Sequence, residues 1–97
     1  MTRLDEMRHH GRMRWLGDEQ GWIARPQEVV EALAGDGFQE YKREEARSRR
    51  DREPHGGMWQ GINTTTGAVA SAIWVKSEGG REPIVFIDID GEPLRGA

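Results

Sequence analysis

The residues of this 97-residue chain with the capacity for chemistry are three histidines, two closely spaced carboxylates and a run of arginines. His9 and His10 are adjacent, so a regular backbone projects them to different sides and they do not ligate one metal ion together. His55 stands alone beside Gly56 and Gly57. There is no cysteine, which removes thiolate nucleophiles, disulfides and cysteine-rich zinc sites. Ser48, Ser71 and Ser77 lack the tight-turn context that exposes a nucleophilic serine. These residues predict no catalytic centre, no metal site and no cofactor.

The carboxylates lie in Val85-Phe86-Ile87-Asp88-Ile89-Asp90-Gly91-Glu92. This stretch resembles the first motif of the haloacid-dehalogenase-type phosphatases, an apolar strand ending in Asp-x-Asp-Gly. The resemblance spans about eight residues and would make Asp88 a nucleophile and Asp90 a general acid. The sequence departs from it at Glu92, where that family has Thr or Val. The 97 residues also lack the later phosphate-binding Ser or Thr, the Lys and the further metal-binding acids. A carboxylate pair alone does not assemble a two-step phosphoryl-transfer site. The reading from the residues is a strand running into an Asp-Gly turn, and the chain is expected not to be an enzyme.

The arginines concentrate in segment 42–52, which holds six bases and three acids. On a helix, Arg43, Arg47 and Arg50 fall along one stripe able to track a phosphate backbone, and Trp59 would be available to stack on a base. The interleaved acids and the net charge of −3 argue instead for a solvated stretch laced with ion pairs. Lys42 and Lys76 are the two lysines among fourteen basic residues, an arginine bias that suggests a bacterial or phage source.

Composition bounds the rest. A chain of this length makes one domain that buries roughly 60–65% of its unfolded surface. With 35% hydrophobic and 32% charged residues its core is thin, which favours help from a partner or a second copy. The charged start, Met1 to Glu6, has no apolar leader segment, and no run approaches the length of a membrane span. A complete small cytoplasmic gene product is the expectation.

The elements that must position these residues follow from local signals. Thr2 and Asp5 have capping-box spacing, and Leu4, Met7, Gly11 and Trp15 suggest a helix or an arm over 1–17. Pro26, Glu28, Val29, Val30 and Leu33 predict a short helix ending at Gly35. Residues 38–53 read either as a helix, favoured by their Glu, Lys, Arg and Gln content, or as a polar edge strand followed by a loop. Residues 58–63, 68–76 and 83–90 predict a three-stranded antiparallel meander, followed by a tail over 91–97. The expected fold class is therefore α+β, with two or three helices packed on that meander.

The strand period assigns faces. Val69, Ser71, Ile73 and Val75 share one side of their strand and Ala68, Ala70, Ala72 and Trp74 the other. Grouping the first set with Val85, Ile87 and Ile89 gives an aliphatic face for the helix to cover. That leaves Ala70, Ala72, Trp74, Ile84 and Phe86 as the candidate protein interface. Four tryptophans are many for this length, and a surplus of Trp and Arg fits an interface. The expected function is a small non-catalytic interaction protein, an adaptor, inhibitor or assembly component, binding a protein partner or a second copy. The alternative is a nucleic-acid-binding regulator using Arg43, Arg47, Arg50 and Trp59.

Overall fold

The computed structural model describes residues 2–47, 54–75 and 82–96. Helix α1 spans Arg3–His9. Its first turn is closed by a capping box: the Thr2 hydroxyl accepts the Asp5 N–H at 3.0 Å, and the Asp5 carboxylate accepts the Thr2 N–H at 3.4 Å. Asp36, from beyond the next helix, accepts the N–H groups of Arg3 and Leu4 at 2.6 and 3.3 Å. The helix stops well before Gly17, because Gly11 takes a φ of +73°. Trp15 instead falls in strand β1, Arg14–Gly17, which turns back into β2, Gly21–Ile23.

Helix α2, Pro26–Gly35, begins with Pro at its first turn, where the missing N–H costs nothing. It buries Val29, Val30, Ala32 and Leu33. Each fully buried aliphatic side chain contributes roughly 2 kcal/mol of transfer free energy, so this one face carries much of the helix's stability. Then come β3, Phe38–Arg47, β4, Pro54–Asn63, β5, Val69–Val75, β6, Ile84–Ile89, and β7, Glu92–Pro93. The β4–β5 turn is held by Asn63, whose side-chain oxygen accepts from the N–H groups of Thr65 and Thr66, with Gly67 at φ +78°.

The seven strands form one antiparallel sheet in the order β1-β2-β6-β5-β4-β3, with β7 added beside β6. This corrects the expected architecture. The three predicted strands form the middle of the sheet, but it is not a three-stranded meander under two or three helices. It has seven strands, and two helices among the described residues. Of the two readings of residues 38–53, the helix is overturned and the edge strand found where the segment is described: Phe38–Arg47 pairs with β4, in a strand longer than the sequence suggested. The helix propensity of Glu, Lys and Arg is worth only tenths of a kcal/mol per residue. A ladder of nine residue pairs to β4, interrupted at Tyr41, outweighs it, and charged residues suit an edge exposed to water.

Both helices lie on one side of the sheet. There Leu4, Met7, Met13, Val29, Val30 and Leu33 pack with Trp22, Trp59, Trp74, Val85 and Ile87 in a single buried cluster. Arg8 stacks over the Trp22 ring at 5.2 Å, and the Trp22 indole N–H donates to the Leu94 carbonyl at 3.0 Å. Two indoles are accommodated by glycines on β4. A Cβ at Gly57 would lie 2.6 Å from the Trp74 ring, and one at Gly61 would collide with the Trp59 ring.

Candidate interaction surface

The predicted interface residues divide between the two sides of the sheet. Ala70 and Ala72 are fully buried and Trp74 is 6% exposed, all beneath the helices. Ile84 and Phe86 lie on the opposite, open side. Cross-strand pairing decides this: Ala72 pairs with Ile87 and Trp74 with Val85, whereas Ile73 pairs with Phe86 and Val75 with Ile84. Directly opposed residues share a face. The alanine row therefore belongs with Val85 and Ile87, and α2 covers it. The face assumed to be aliphatic core, carrying Val69, Ile73 and Val75, is the open one.

That open face is built in cross-strand rows. Met58, Ile73 and Phe86 form one, with Phe86 packed over Gly21 of β2. Val75, Ile84 and Ile23 form the next. Ile62 and Val69 form a third, and between the apolar rows run Lys42, Gln60, Ser71 and Asp88. Ile73 and Val75 are each 49% exposed, and Val69 and Phe86 also reach solvent. The contributions of Met58 and Ile62 were missed in the sequence. Their signal is the alternation of Met58, Gln60 and Ile62 with Gly57, Trp59 and Gly61.

The residues of the nucleic-acid reading do not converge. Trp59 is 1% exposed in the core and offers no stacking surface. Arg43 points to the helix side, donating to Gln27 of α2 at 2.8 Å and pairing with Glu40 and Glu45 at 3.7 and 3.4 Å. Arg50 and the Arg47 side chain lie outside the described residues, as does the His55 side chain.

Asp90 ends β6 with a φ of 52°, and its carboxylate accepts the Val69 N–H at 2.9 Å. It thereby ties the start of β5 to the turn after β6. Asp88 stands between Ser71 and Pro93 in the sheet. His9 and His10 are exposed, their rings perpendicular with centroids 5.7 Å apart. Among the described residues no three metal-ligating side chains gather. The groove between α1 and α2 mixes Arg3, Glu6, Arg12, Glu28 and Glu31 without a charged group held at depth.

Compared with known protein families, curated proteins and solved structures, the chain matches none. Among the described residues no helix is long and apolar enough to cross a membrane.

Proposed function

We propose that this chain is a small non-catalytic interaction protein of the cytoplasm, and that its contact surface is the open face of the sheet around Ile73. One observation carries the reading: the central strand β5 is apolar on both sides except at Ser71, and among the described residues both helices lie on only one of them. A sheet face of this kind is stable in water when another layer covers it, and exposed apolar patches on small domains mark contact sites. The functional surface is thus the reverse of the alanine row. The nucleic-acid alternative has no comparable support, because Trp59 is buried and Arg43 is engaged by acids and by Gln27.

The test is site-specific photo-crosslinking in cells, with a benzophenone side chain at Ile73 and, as the control, at Glu31 on the exposed side of α2. Protein adducts specific to position 73 are the expected result. Equal adducts at both positions, or none at 73, would overturn the assignment.

A further inference from the structure

We infer that the layer covering the open face is a second copy of this chain, stacked sheet on sheet about a two-fold axis that runs along the strands between β4 and β5. The inference rests on the reading of this face as the contact surface and adds its occupant.

Self-complementarity of the rows is the first argument. The axis places β4 of one copy over β5 of the other while keeping each residue in its own row. The four rows shared by these strands are Ile62 with Val69, Gln60 with Ser71, Met58 with Ile73, and Gly56 with Val75. Stacking therefore lays apolar on apolar three times over, with the half-exposed Val75 directed at a glycine. The one polar row meets itself, Gln60 against Ser71, where both can hydrogen-bond. Sheets packed this way lie about 10 Å apart with their strands within about 30° of one another, so the contacts nearest the axis are the tightest.

Charge gives the second argument. The polar row ends in Lys42 on β3 and Asp88 on β6, one on each side of the axis. Within one copy these residues are three strand spacings apart, about 14 Å, too far to pair. The two-fold axis exchanges β3 for β6, bringing Lys42 of each copy to Asp88 of the other. The four central rows carry no charge, so a strongly acidic or basic partner finds no complement there. Glu44 falls opposite Phe86 at the rim, where its methylene stem can pack and its carboxylate stays wet.

Area gives the third. With Ile73 and Val75 49% exposed, Phe86 37% and Val69 36%, the open-face side chains leave on the order of 400 Å² of apolar surface in water. A stable dimer of ordinary size covers about 800 Å² per partner, a little over half of it apolar. The patch matches that need.

The experiment is sedimentation equilibrium of the full chain. A reversible dimer is expected. Lys42→Glu and Asp88→Lys should each weaken it about tenfold, since each places two like-charged pairs at the interface. An equimolar mixture of the two variants should recover association as a heterodimer, because both cross-pairs are again opposite in sign. As a second measurement, Met58→Cys and Ile73→Cys copies are mixed in this cysteine-free chain. A bismaleimide of about 10 Å reach, the distance between stacked sheets, should join them, and should not join Glu31→Cys copies. A native chain that stays monomeric at high micromolar concentration overturns the second copy, as does a mixture no stronger than its components together with absent Met58–Ile73 crosslinks. If Ile73 then still crosslinks to a different protein in cells, the contact surface stands and only its occupant changes. If it crosslinks to nothing, both fall.

Discussion

Gly61 lies directly beneath the indole of Trp59, two residues before it on the same strand, and a Cβ at position 61 would occupy the volume of that ring. Trp59 is among the most completely buried side chains of the core. A glycine in the interior of a strand weakens it, and here the cost is offset by room for a large ring.

Gly61→Ala should therefore destabilise the domain by about 2–3 kcal/mol, because the ring is 1% exposed within the core cluster and cannot move aside cheaply. Urea unfolding followed by tryptophan fluorescence measures this. A change within about 0.5 kcal/mol, the size of an ordinary surface substitution, would show that Trp59 has another place to go.

Neighbouring residues on β5 should respond in opposite ways. Trp74→Arg places an unpaired charge in the core beneath α2 and should unfold the domain or nearly so, a loss of several kcal/mol. Ile73→Asp, on the half-exposed open face, should leave the monomer's far-ultraviolet circular dichroism unchanged. If Ile73→Asp unfolds the isolated monomer, the assignment of faces is wrong.

Asp90 serves the backbone. It holds a left-handed conformation that Asp and Asn tolerate, and it receives the Val69 N–H. Asp90→Asn keeps both features and should be near neutral, whereas Asp90→Leu loses both and should cost about 1–3 kcal/mol. Thermal unfolding of the two variants distinguishes this role from one that requires the negative charge.

Helix α1 should be acid-sensitive at its first turn. The Thr2 hydroxyl and backbone N–H, followed by the Arg8 guanidinium, hold the Asp5 carboxyl below its ordinary value. A folded-state value below the unfolded one adds stability that is fully present above about pH 4 and is lost as pH falls through the folded value. Carboxyl-detected nuclear magnetic resonance should place the Asp5 midpoint below the ordinary aspartate value, and Thr2→Ala should raise it. An Asp5 midpoint unmoved by Thr2→Ala would remove the capping box as the cause.

Local physics was legible in the residues alone. Pro26 and Gly35 bound α2 because proline suits a first turn and because the apolar stripe ends there. Thr2 and Asp5 cap α1 through contacts three residues apart. The turn at Asn63 to Gly67 follows from an Asn side chain that binds its own backbone and from a glycine free to adopt positive φ. Within each strand, alternation separated Ala70, Ala72 and Trp74 from Val69, Ile73 and Val75 without error. Only the tertiary structure decided which set faces the helices. The period of two fixes the sides of one strand, but a shift of one residue between β5 and β6 exchanges their partners, and the hydrogen-bond ladder sets that shift. It paired Trp74 with Val85, not with Phe86, and so moved the predicted surface to the other side of the sheet. Segment 38–47 was undecided for the same reason. Its charged residues allow a helix or an edge strand at nearly equal local cost, and the partner that settles the matter, β4, is separated from it by residues 48–53.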